Sequence, residues 1–208
     1  VNRRTALLVL TVAALTTGCT AAPPTTSAVP GPTAPDHSGQ SLWHVIDADG
    51  KTLTQLADDD PLVTAVRKTV VLHSGVVDNR DHRGIARSAT NELDFYNDDF
   101  AASLRAQDYV DKLTELFTEN HLTTRQTAIA WYRSTLPRDR STAKVSMEST
   151  IEFTAADPSY LKANGLTLGT PYNQRRTVSL ARTGGRWLIV AIEKEPLTKQ
   201  AKTLPGPS

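Results

Sequence analysis

Ala143, Val145, Met147, Ser149, Ile151 and Phe153 alternate with Lys144, Ser146, Glu148, Thr150 and Glu152. Successive side chains of a strand point to opposite faces, so this run predicts one long strand with a dry side and a wet side. Half-solvated strands belong to antiparallel sheets. Residues 127–135, with Ile129, Trp131 and Tyr132, read as a second strand. Residues 176–182 and 186–193 flank Thr183-Gly184-Gly185, which predicts a closing hairpin. Between these strands, Asp157-Pro158 starts a short helical turn and Asn164-Gly165 stops it.

The preceding half has the helical period. Leu93, Tyr96, Phe100 and Leu104 recur at three- and four-residue steps. Tyr109, Val110, Leu113, Leu116 and Phe117 do the same, with Asp108, Asp111, Lys112, Glu115 and Glu119 on the other side, and Asn120-His121 ends that helix. An earlier helix starts at Asp60-Pro61, with Leu62, Val66 and Val70 as its buried stripe. Trp43 to Ile46 and Thr52 to Thr54 flank Asp49-Gly50 as a short hairpin. Helices followed by antiparallel strands give an α+β domain: N-terminal helices packed on a curved antiparallel sheet.

The N-terminal portion is built differently. Val1 reads as an initiator; Arg3-Arg4, an apolar run to Leu15, and Thr16-Thr17-Gly18-Cys19 follow. The run is too short to span a bilayer, which takes about 20 residues, and has the layout of a cleaved export signal. Cleavage between Gly18 and Cys19 would leave Cys19 as the acceptor of a diacylglyceryl group, as in bacterial lipoproteins. Cys19 is the one cysteine of the chain, so no disulfide forms within it. Residues 20–40 are Ala, Pro, Thr and Ser with one carboxylate, a composition expected to stay extended as a tether. The expected organisation is signal peptide 1–18, lipidated cysteine and disordered tether 19–40, α+β domain 41–197 and flexible tail 198–208.

The chain has 23 basic and 22 acidic side chains, and losing Arg3 and Arg4 with the signal leaves 21 against 22. The charges are interspersed, which argues against nucleic acid as a partner. The expected place is the extracytoplasmic face of the cell membrane, held by lipid on Cys19.

Arg182-Thr183-Gly184-Gly185-Arg186-Trp187 and the apolar run Leu188-Ile189-Val190 resemble the closing hairpin of the NTF2-like superfamily. That ending is similar to those of bacterial lipoproteins and Mce-associated proteins, and Tyr109-Val110-Asp111-Lys112-Leu113 resembles NTF2-like lipoproteins of high-GC Gram-positive bacteria, which implies a SnoaL-like or Mce-associated-like lipoprotein. The resemblance implies a cone-shaped sheet whose mouth holds a small molecule or is filled by side chains. It also implies a possible homodimer through the sheet.

Chemistry is sparse in the sequence. His44, His73, His82 and His121 show no metal-ligand spacing. His73, among valines, reads as a hydrogen-bonded core histidine. The segment from Asp78 to Gly84, containing His82, reads as a solvated loop. Asp47-Ala48-Asp49-Gly50 suggests a calcium loop, but Lys51 stands where a third oxygen ligand belongs, so a turn is the better reading. No catalytic residue, cofactor or metal site is assigned. Trp131, Tyr132, Tyr160 and Tyr172 are candidate pocket-lining residues, with Trp187 beside them and residues 156–172 as a lid; aromatics on strands are more often core. The first functional reading is a non-enzymatic binding or accessory lipoprotein for a protein or envelope component. The second is a small-molecule binder using the cone, and the third an isomerase or hydrolase.

Overall fold

The computed structural model describes residues 41–200. Gly18, Cys19, the signal and the tether lie outside the described residues, as does the tail from residue 201. The elements run β1 (Trp43–Ile46), β2 (Thr52–Leu56), α1 (Pro61–Asp78), α2 (Ile85–Glu92), a 3-10 turn (Leu93–Phe95), α3 (Asp98–Arg105), α4 (Tyr109–Glu119), β3 (Thr123–Trp131), β4 (Ser134–Pro137), β5 (Thr142–Ala155), α5 (Pro158–Asn164), β6 (Pro171–Thr183), β7 (Arg186–Lys194) and β8 (Thr198–Lys199). This is the expected α+β architecture: among the described residues, five helices and one eight-stranded curved sheet that does not close.

β5 organises the sheet. Its 14 residues give one edge to β6 from Thr142 to Glu152. The other edge is shared, with β3 along Met147 to Ala155 and β4 at Lys144. Two short strands fit end to end on one long neighbour. β1 then pairs with β4 in the parallel sense, Trp43 on Ser134 through Ile46 on Pro137, so the sheet is antiparallel everywhere but there.

α1 lies over the dry face. Asp60 Oδ1 accepts from Leu62 N at 2.8 Å and Pro61 fills the first turn, so both helix-start signals operate as read. Val63, Val66 and Val70 are its buried stripe, with Leu62 half-buried beside them. They pack on Trp43, Val45, Leu136, Val145, Met147, Val178, Leu180, Trp187 and Ile189. Each large apolar side chain buried here contributes about 1.5–3 kcal/mol. A smaller cluster of Ile85, Phe117 and Leu122 joins α2 to α4. Both clusters fall inside the compact unit His37–Ser208, which therefore carries its own core.

Some elements differ from the sequence reading. Leu93, Tyr96, Phe100 and Leu104 do not share one helix. Tyr96 is extended (φ −96°, ψ 152°), and Asn97 N donates to Ile189 O at 3.0 Å, so the chain leaves the helix to meet β7. Asn97 then caps α3 through Phe100 N at 3.1 Å. The strand read over 127–135 begins at Thr123 and stops at Trp131, with β4 separate. β8 pairs with Tyr172 and Asn173, so the ordered chain extends past residue 197. The β6–β7 turn closes through Gly184 (φ +56°) and Gly185 (φ +80°), the left-handed pair that a two-residue hairpin turn demands.

Candidate functional site

The α1 stripe continues past Val70 into His73, Ser74 and Asp78, so polar groups enter the core on the same face as the valines. β6 does the same in period two. Val178 and Leu180 point inward, and so does Arg176. The two elements converge on an ion pair. Asp78 is 3% exposed and Arg176 3%. Arg176 donates to both carboxylate oxygens of Asp78, at 2.9 and 2.5 Å, a bidentate fork. Ser74 (2.9 Å), Ser149 (2.7 Å) and Gln126 (2.9 Å) also donate to Asp78, and Gln174 Oε1 accepts from Arg176 Nε at 3.0 Å.

A second pair lies beyond the end of α1. Glu92, the last residue of α2, is 1% exposed and Arg80 4%. Glu92 accepts from Arg80 and Tyr96 through short contacts and from Tyr109 at 2.8 Å. His73 Nε2 lies 2.9 Å from the Tyr96 hydroxyl and 3.6 Å from Glu92. Since the Tyr96 hydrogen points to Glu92, the His73 nitrogen must carry the hydrogen of the His73–Tyr96 bond. Arg80 Nε and, on α4, Thr114 Oγ1 are buried without a hydrogen-bond partner among the described residues.

These environments fix charge states. Burial alone would raise the Asp78 and Glu92 carboxyls. The Arg176 charge and hydrogen bonds hold Asp78 below its ordinary value instead. His73 hydrogen bonding and the Arg80 charge hold Glu92 well below its own. Burial and the Glu92 charge push Tyr96 and Tyr109 up, so both remain neutral donors. Burial lowers His73, against the pull of Glu92. Both carboxylates are thus ionised, and all their oxygens are engaged with protein groups. That arrangement suits a locked core better than proton transfer to a bound molecule.

The His73 shift has a measurable consequence. A histidine whose folded pKa lies below its unfolded value of about 6.5 favours the fold fully above that pH. That contribution falls as pH drops below it toward the folded pKa. The unfolding free energy in urea should therefore decline from pH 7 to 5.5, before the carboxylates titrate, and His73→Gln should flatten that stretch. A level profile in the parent protein would remove the assignment.

The residues singled out from sequence lie in separate places. Trp131 is half-buried, 6.4 Å from Trp43, with the Arg67 guanidinium 5.0 Å from its ring. Tyr132 lies under Arg175 at 3.9 Å. Tyr160 packs on the Phe117 cluster, and Tyr172 is buried edge-to-face on Phe153. Asp47 Oδ1 accepts from Asp49 N and Lys51 N, an aspartate turn. His73 is the buried, hydrogen-bonded residue its valine neighbours suggest. The segment after Asp78 is not simply a solvated loop: Asp78 and Arg80 are buried while Asp81 and Arg83 are exposed. Sequence reading passed over Asp78, Arg80, Glu92 and Arg176 as functional candidates. The available signal was a charge in phase with an apolar stripe. A groove of about 420 Å³ lies elsewhere, between α1, the 3-10 turn and the β6–β7 turn, lined by Leu72, Phe95, Trp187 and Leu188 with Lys68, Asp94 and Arg186.

No protein-family model and no curated protein matches the sequence. Solved structures of similar shape include an IcmL-like type IV secretion system protein of Legionella pneumophila subsp. pneumophila str. Philadelphia 1, at 11% identity and TM-score 0.49 over 69% of this chain and 97% of that one. Agrobacterium tumefaciens VirB8 protein follows at 7% identity and TM-score 0.43, over 69% and 97%. A periplasmic fragment of TraM gives 10% identity and TM-score 0.40, over 63% and 95%. These neighbours overturn the expected kinship with SnoaL-like and Mce-associated lipoproteins. The motif that suggested it follows from general physics: a two-glycine hairpin followed by a tryptophan in phase with apolar residues suits any sheet packed on one face.

Proposed function

We propose that this chain is an extracytoplasmic accessory protein whose α+β domain binds a protein or envelope component, without chemistry of its own, while a lipid on Cys19 holds it to the membrane. The observation that carries the binding reading is the occupancy of the core between α1 and the sheet. Asp78, Arg176, Glu92 and Arg80 bond to one another and to neighbouring side chains in place of a ligand. The same occupancy weighs against the small-molecule and hydrolase readings: every oxygen of both carboxylates is engaged, and the unpartnered Arg80 Nε and Thr114 Oγ1 are buried away from the surface. Partner contacts then fall to the outer surface, where Leu53, Val71, Leu72, Leu116 and Leu168 are exposed. Among the described residues no helix is long and apolar enough to cross a membrane. Two acyl chains, at ~0.8 kcal/mol per buried CH₂, would supply attachment instead.

Cys19→Ser is the test of the anchor. Mass spectrometry of the native protein should find an N-terminus at residue 19 carrying a diacylglyceryl thioether, and the variant should leave the membrane fraction. An unmodified thiol, or a variant that stays membrane-bound, would sink the anchor. The binding reading is tested separately by crosslinking in intact cells, followed by identification of the attached component. A chain that crosslinks to nothing above background, with or without the anchor, would refute it.

A further inference from the structure

Two hairpin tips meet at one end of the sheet. Thr142 pairs with Ala181, and Arg182 N donates to Ser141 O at 2.9 Å, which sets the β4–β5 turn beside the β6–β7 turn. The first turn carries Arg138 and Arg140, and Arg182 and Arg186 flank the second at the ends of β6 and β7. All four side chains are exposed, and among the described residues none has a carboxylate within 4.0 Å or donates a side-chain hydrogen bond. The parallel pairing of Ile46 with Pro137 brings the β1–β2 turn, with exposed Lys51, to the same end. Four carboxylates share it. Asp47 and Asp139 already accept from turn backbone N–H groups, Asp49 is exposed, and exposed Asp94 lines the groove beside Arg186, where Lys68 offsets it. Arg140 holds a left-handed backbone (φ +54°), a position that favours glycine or asparagine, yet it bears a guanidinium.

We infer that this arginine-tipped end is a docking surface for an anionic phospholipid headgroup layer. Guanidinium groups meet phosphate through two parallel N–H donors, and these four are not engaged elsewhere among the described residues. Gly184 and Gly185 leave the second tip without bulk, so the backbone itself can approach a flat surface. The inference draws on the proposed Cys19 anchor only for location.

The test uses the unit His37–Ser208, which has its own core and no Cys19, so its outcome is independent of lipidation. It should co-sediment with phosphatidylglycerol–phosphatidylcholine vesicles at 50 mM salt, dissociate at high salt, and ignore pure phosphatidylcholine. One cation near an anionic surface is worth about fivefold in partitioning, so Arg182→Gln/Arg186→Gln should weaken binding about 25-fold, and Arg138→Gln/Arg140→Gln comparably. Arg87→Gln/Arg105→Gln, at exposed sites on α2 and α3 and outside both hairpins, should leave binding unchanged. Unaltered urea midpoints would show that each variant is folded. The inference is overturned if the parent unit fails to bind anionic vesicles, binds both vesicle types equally, or loses as much through the Arg87/Arg105 pair as through the tips.

Discussion

Arg176→Met lowers the unfolding free energy of the domain by about 3–5 kcal/mol, because it leaves the Asp78 carboxylate buried without its counter-charge. The methionine can occupy the apolar part of the arginine's path, so most of the cost is electrostatic. Ser74, Ser149 and Gln126 still donate to Asp78, but hydrogen bonds from neutral groups do not replace a bidentate guanidinium. The double variant Asp78→Asn/Arg176→Met removes the stranded charge. It should recover about 1–3 kcal/mol relative to the sum of the two singles. Urea unfolding at pH 7 measures all four corners of this cycle. A loss below about 1 kcal/mol in the single variant, or strict additivity in the double, would mean that the carboxylate is solvated or neutral in the folded chain.

Glu92→Ala is the other large effect, again about 3–5 kcal/mol, because it strands the Arg80 guanidinium and deprives Tyr96 and Tyr109 of their common acceptor. It should also change the acid behaviour. Glu92 has a folded pKa below its ordinary 4.5, so its contribution to stability is present above that value and is lost as pH falls through the folded pKa. The parent protein should lose stability steeply below pH 4.5, with Asp78 contributing in the same sense. The variant should show a shallower acid limb on a lower plateau. Matching acid limbs in the two proteins would place the titration elsewhere.

The two pairs are unlike the surface pair of Arg125 with Glu152, whose arginine is exposed and whose contribution is about 0–1 kcal/mol. Burial makes the difference. Desolvation penalises each isolated charge, so the pairs contribute less to total stability than their Coulomb energy suggests. Removing one partner is costly all the same. A slip of α1 against the sheet would separate Asp78 from Arg176, and a slip of α2 against the chain after α1 would separate Glu92 from Arg80.

The local elements were largely legible in the sequence because their causes are local. The alternation from Ala143 to Phe153 sets β5, Asp60-Pro61 starts α1, Asn164-Gly165 stops α5, and Gly184-Gly185 turns β6 into β7. Each depends on neighbours within a few residues, through side-chain period, capping or backbone handedness. The tertiary structure alone decided which charges meet. Asp78 and Arg176 are far apart in the chain, and each looks like an ordinary solvated residue until α1 is laid across β6. Likewise Tyr96 leaves its helical period where its backbone meets Ile189 of β7, and β1 lies parallel on the edge of β4 that faces away from β5. Pairings of that kind carry no local signature, because their energy comes from excluding water between segments that only the completed fold brings together.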